Sequence, residues 1–128
     1  MIKYGYTILY VGDVEKTVEF YTKAFGLTQK FITPEKDYAE LETGNTVLAF
    51  AGYSVAEYNG IDITKSDAST PPPAFEVTFV TDDIGGAYQQ ALSAGAVGVK
   101  EPTQKPWGQT VAYVRDLNGF LVELCTSM

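Results

Sequence analysis

Tyr4 to Val11 alternates between two faces and is rich in aromatic and β-branched residues, which is the pattern of a strand. Thr7, Leu9 and Val11 fall on one face. Tyr4, Tyr6, Ile8 and Tyr10 fall on the other, which is unusually aromatic for a sheet surface. The period then changes. Val14, Val18, Tyr21 and Phe25 recur at helical spacing, Phe20 and Ala24 widen the stripe, Asp13 stands where an N-cap belongs, and Gly26 can close the helix in a left-handed conformation. Strands are predicted next near Thr28–Thr33, Tyr38–Thr43 and Thr46–Ala51, with Pro34 breaking the first pair and Gly44-Asn45 turning the second. The first part of the chain therefore reads as βαβββ.

From Gly52 to Pro73 periodicity dissolves into small and polar residues, ending in Pro71-Pro72-Pro73, a stiff extended spacer. After this linker the first pattern returns. Phe75–Val80 is a strand, Asp83 caps a helix with Ile84, Ala87, Tyr88, Ala91 and Leu92 on its apolar side, and Gly95 ends it. A short strand near Val97–Lys100 and a closing hairpin complete a second βαβββ. Asp13-Val14 corresponds to Asp83-Ile84, and Gly26 to Gly95 after a one-residue gap. Each unit is too small to bury its own sheet, so the two are expected to pair through their sheets and leave a concave face. The predicted class is α+β: a single domain, 1–128, of two paired βαβββ modules forming a curved mixed sheet around a cavity. Module one covers about 1–52, the linker about 53–73 and module two about 74–128.

The closing hairpin is the most fully specified stretch. Asp116-Leu117-Asn118-Gly119 supplies an Asp to open a turn and a Gly for positive φ. On the strand that follows, Phe120, Val122 and Leu124 share one face, and Leu121, Glu123 and Cys125 share the other. Glu123 is either a solvated glutamate on an open sheet face or a carboxylate held among apolar neighbours.

Composition narrows the chemistry. The chain has no histidine, which excludes Ser-His-Asp and Cys-His nucleophilic sites, imidazole-held zinc and the two-histidine iron triad. Carboxylates, tyrosines, lysines, amides and the lone thiol remain. A formal net charge of -7, with Arg115 the one arginine, opposes a phosphate-binding surface and argues against nucleic acid as a partner. No stretch approaches the length of a membrane-spanning helix. The single Cys125 cannot pair within the chain and the start resembles no secretory signal, so the expected compartment is the cytoplasm.

Two segments carry a resemblance: Ile8-Leu9-Tyr10-Val11-Gly12-Asp13-Val14, running on into Phe20-Tyr21 and Phe25-Gly26-Leu27, and the closing Tyr113-Val114-Arg115-Asp116-Leu117-Asn118-Gly119-Phe120-Leu121-Val122-Glu123-Leu124. Together they resemble the vicinal oxygen chelate superfamily, which contains glyoxalase I, bleomycin-resistance proteins and extradiol dioxygenases. The resemblance implies paired βαβββ modules and metal ligands on the first and last strands of each, at positions that look like Tyr6, Ala49, Glu76 and Glu123. Only Glu123 retains what looks like the usual ligand. Ala49 cannot coordinate, Tyr6 is an uncommon ligand, and Glu76 stands where histidine is common. Glu76 and Glu123 could hold a hard divalent ion as a minority possibility, but no cofactor is expected.

These positions imply a pocket with an aromatic wall and two acids. Its expected ligand-binding residues are Tyr6, Tyr10, Glu76, Thr78, Trp107 and Glu123. Such a lining suits a planar or cationic small molecule, although a tyrosine taken alone is more often core packing than ligand wall. The favoured reading is a metal-free binding protein of the bleomycin-resistance type that sequesters its ligand. The alternative is a glyoxalase-type lyase or isomerase, in which Glu76 or Glu123 is the general base and Tyr6 or a bound divalent ion stabilises an enolate. A third is an accessory domain with a vestigial cavity. A homodimer is expected in any of these cases, because the modules leave a sheet edge and C₂ pairing is the commonest symmetry.

Overall fold

The computed structural model describes residues 1–128. Its elements follow the order β1 (Tyr6–Val11), α1 (Val14–Phe25), β2 (Gln29–Ile32), β3 (Tyr38–Leu41), β4 (Val47–Gly52), α2 (Tyr53–Tyr58), β5 (Glu76–Val80), α3 (Ile84–Ser93), β6 (Val97–Gln104), β7 (Thr110–Arg115) and β8 (Leu121–Cys125). The strands form two four-stranded mixed sheets, ordered β1-β4-β3-β2 and β5-β8-β7-β6. The βαβββ order is thus present twice, with the first strand of each module parallel to the last. Two compact units result, Met1–Thr22 with Gly26–Lys65 and Lys23–Phe25 with Ser66–Met128.

In the first unit the period-two pattern of β1 turns Leu9 and Val11 inward, where both are buried. Tyr6 and Ile8 are exposed on the opposite face. Asp13 caps α1 by accepting from the Lys16 backbone N–H at 3.0 Å, and Gly26 ends the helix at φ 71°. Val14, Val18 and Tyr21 are buried along the apolar stripe, and the Tyr21 ring packs on Phe50 of β4 at a centroid distance of 4.8 Å. In the second unit Asp83 caps α3 by accepting from the Gly86 N–H at 3.0 Å. Ile84, Ala112 and Leu124 form its core, with Phe25, Phe79, Ala87 and Tyr88 against them.

Three elements differ from expectation. The stretch predicted as an open linker contains α2, whose six residues carry a single buried side chain, Ala56, too little to establish a helical period in the sequence. Strand β1 starts at Tyr6 rather than Tyr4, and Tyr4 is exposed. Strand β6 runs to Gln104, past the predicted end at Lys100, with register shifts on either side of Lys100. Its residues are nearly all exposed and Pro102 lies within it, so edge-strand composition hid its length. No helix is long and apolar enough to cross a membrane.

Candidate functional site

Each sheet has one face packed on its helix and one face free of it, and the polar chemistry lies on the free faces. On sheet two, β8 is central. Its turn is fixed first: the buried Asp116 carboxylate accepts from the backbone N–H of Asn118 and of Phe120, both at 2.9 Å, and Gly119 takes φ 85°. That clamp sets the register of β8. Val122 and Leu124 then fall on one face, buried in the core, while Leu121, Glu123 and Cys125 fall on the other, where Cys125 is buried and Glu123 half-buried.

Glu123 pairs across the ladder with Thr78 on β5 and with Tyr113 on β7. The Tyr113 hydroxyl donates to Glu123 Oε1 at 3.1 Å, and Thr78 Oγ1 donates to Glu76 Oε2 at 2.8 Å. Burial, followed by hydrogen bonding to and charge repulsion from Glu76, pushes the Glu123 carboxyl above its ordinary value, against lowering contacts from Tyr113 and Cys125. Burial and the nearby Glu123 also raise the Tyr113 phenol and the Cys125 thiol. Glu123 is thus neither of the simple alternatives: it is half-buried and hydrogen-bonded to Tyr113.

Sheet one holds Tyr6 and Tyr10, which alternate onto the same face as Ile8. The next row across the sheet joins Ile8 on β1, Ala49 on β4, Glu40 on β3 and Phe31 on β2. Glu40 is 8% exposed. Its Oε2 accepts from the Tyr38 hydroxyl at 2.7 Å, and its Oε1 lies 3.9 Å from Lys30 Nζ. Burial first, then the Glu40 hydrogen bond, pushes the Tyr38 phenol well above its ordinary value. The sequence reasoning did not single out Glu40. Alternation along Tyr38-Ala39-Glu40-Leu41 carried the signal, since it puts Tyr38 and Glu40 together on the aromatic face.

The expected residues therefore separate as follows. Glu76, Thr78 and Glu123 come together on sheet two; Tyr6 and Tyr10 share one face of sheet one. Trp107 lies in the loop between β6 and β7, 64% exposed, its indole N–H donating to Gln109 Oε1 at 2.9 Å.

A family model described as the Glyoxalase/Bleomycin resistance protein/Dioxygenase superfamily matches residues 3–124. The chain belongs to this superfamily. A probable lactoylglutathione lyase of Vibrio cholerae is 28% identical over 125 residues, covering 93% of this chain and 86% of that protein. Lactoylglutathione lyase GLX1 of Arabidopsis thaliana is 29% identical over 132 residues, covering 95% of this chain but 43% of that longer protein. In fold, a glyoxalase-related enzyme from Fulvimarina pelagi superposes with a TM-score of 0.84 at 19% identity, covering 99% of this chain and 89% of that one.

Within this superfamily fold the two sheets of the protein can be compared row by row. Thr78–Glu123–Tyr113 occupies in sheet two the register that Ile8–Ala49–Glu40 occupies in sheet one. In sheet two the carboxylate of this row stands on the last strand of the module, whereas in sheet one it stands on β3 and the last strand carries the Ala49 methyl, which has no donor atom. The donor set consequently does not fit a divalent metal held in the manner the resemblance implies. Ala49 offers nothing, and no three His, Cys, Asp or Glu side chains gather into a group that could hold an ion.

Proposed function

We propose that this protein is a metal-free small-molecule binding protein that holds a planar, cationic ligand by charge and ring contact and protects by sequestration. The observation that carries this reading is the Glu123 carboxylate, which accepts from the Tyr113 hydroxyl at 3.1 Å and is raised by burial and by the neighbouring Glu76. A ligand cation placed beside these two carboxylates would relieve their repulsion and gain charge-assisted hydrogen bonds that a neutral isostere lacks. The Tyr113 ring stands beside the pair and offers a surface for stacking, and Thr78 orients Glu76. Binding of benzamidine and of its neutral isostere benzamide, followed by calorimetry and by Trp107 emission, tests it. Benzamidine should bind roughly tenfold tighter, and Glu123→Gln should remove most of that preference. Equal binding of the two probes to the wild-type protein overturns the reading.

The alternative, a glyoxalase-type lyase or isomerase, draws support from two observations: the raised Glu123 carboxyl and relatives that bear the name lactoylglutathione lyase. A carboxylate made more basic by burial is suited to abstracting a proton beside a carbonyl, with Glu76 or Glu123 as base. Turnover of a hemithioacetal that is lost in both Glu76→Gln and Glu123→Gln would replace the binding reading with this one.

A further inference from the structure

Nothing in the reading above uses Glu40, yet a carboxylate nine-tenths buried on an otherwise aromatic sheet face is costly to keep without a purpose. Its two oxygens are unequally served. Oε2 receives the Tyr38 hydroxyl at 2.7 Å, whereas the cation facing Oε1, Lys30 Nζ, stands 3.9 Å away, too far for a hydrogen bond. Lys30 lies on the edge strand β2 at a register shift, and its side chain is 47% exposed, so its ammonium is free to move away at little cost. Around the carboxylate stand taller side chains with exposed surface: Tyr6 at 58%, Ile8 at 40% and Phe31 at 42%. Tyr38 packs on Phe31 with ring centroids 6.0 Å apart, which holds the hydroxyl donor in place.

We propose that Glu40 is the anchor of a cation subsite on sheet one, which takes an aromatic ring bearing a protonated amine or amidinium, and that Lys30 is its built-in competitor. The ligand cation hydrogen-bonds Glu40 Oε1 and displaces the Lys30 ammonium, while its ring lies against Phe31, the cross-strand neighbour of Glu40. A site that only stabilised the fold would weaken on loss of either partner. A site with a tethered competitor responds with opposite signs to loss of the anion and loss of the lysine.

This subsite rests on the cation-binding reading, and one set of titrations separates the two. Benzamidine and benzamide are titrated calorimetrically into wild-type, Glu40→Gln, Lys30→Gln and Glu123→Gln proteins. Glu40→Gln should weaken benzamidine by roughly tenfold and leave benzamide little changed, whereas Lys30→Gln should tighten benzamidine about threefold. The lysine variant alters an exposed side chain and keeps the test open if Glu40→Gln fails to fold. If Glu123→Gln weakens benzamidine while Lys30→Gln does not tighten it and Glu40→Gln does not weaken it, the subsite falls and the cation reading stands. If wild-type protein does not prefer benzamidine to benzamide, both fall.

Discussion

Replacing Tyr38 with Phe isolates one hydrogen bond in a setting where its partner cannot be rescued by water. The ring, and with it the packing on Phe31, is preserved; what is lost is the hydroxyl that reaches Glu40 Oε2 at 2.7 Å. Hydrogen bonds to charged groups are worth about 1.5–3 kcal/mol, and Glu40 at 8% exposure has no water shell to substitute. Lys30 recovers little, since it is half-exposed and 3.9 Å from the other oxygen. A loss of about 2 kcal/mol should lower Tm by roughly 7 °C for a chain of this size. Thermal or urea unfolding measures it, and the same substitution made in a Glu40→Gln background should cost about half as much, because the amide accepts a weaker bond. The pH dependence has a definite sign. The Tyr38 phenol is raised above its ordinary 10.0, so its contribution is intact below pH 10.0 and fades as pH climbs through the higher folded value. Equal losses in the two backgrounds, or a loss under about 0.5 kcal/mol, would refute the reasoning.

Other outcomes follow from the same geometry. Glu123→Gln should stabilise the folded protein at pH 8, since the amide can donate to Glu76 and accept from Tyr113 without a second charge. The folded Glu123 value is raised, so the wild-type penalty appears as pH rises through that value; the Tm advantage of the variant should vanish in acid. Gly119→Ala should cost about 2 kcal/mol or more in chemical denaturation, because φ is 85° there and an added Cβ would lie 2.8 Å from the Asp67 carbonyl carbon. A chelator should leave Tm unchanged, and a fall of many degrees would contradict the metal-free reading. Sedimentation should give a homodimer; a monomer at micromolar concentration would count against it.

Where two local signals agreed, the sequence was legible. Asp13 and Gly26 bracket a helical stripe, and both act as caps. Asp116 and Gly119 bracket a turn between alternating runs, and both perform the roles their chemistry suggests. The same alternation put Glu123 opposite the core. Glu40 was missed because the repeat offered it no counterpart: the matching place in module two is Tyr113, and the acid there stands on the neighbouring strand. Helix α2 was missed because its stability comes from one buried alanine and the contacts of its backbone, neither of which has a period. The raised Glu123 carboxyl was likewise beyond reach, since desolvation is a property of packing rather than of residue type.

Arg115 gives the chain an internal clock for local opening. Its Nε donates to the Gly119 carbonyl at 2.9 Å, and its two terminal nitrogens donate to the carbonyls of Ala68 at 3.2 Å and Asp67 at 3.1 Å. Because it is the one arginine in the sequence, every reagent or protease that recognises guanidinium has a single address on this molecule, and that address is occupied at rest. Phenylglyoxal labelling of that side chain should then quicken whenever the 67–68 segment lifts away. One rate constant, read at one residue, reports the opening of that segment.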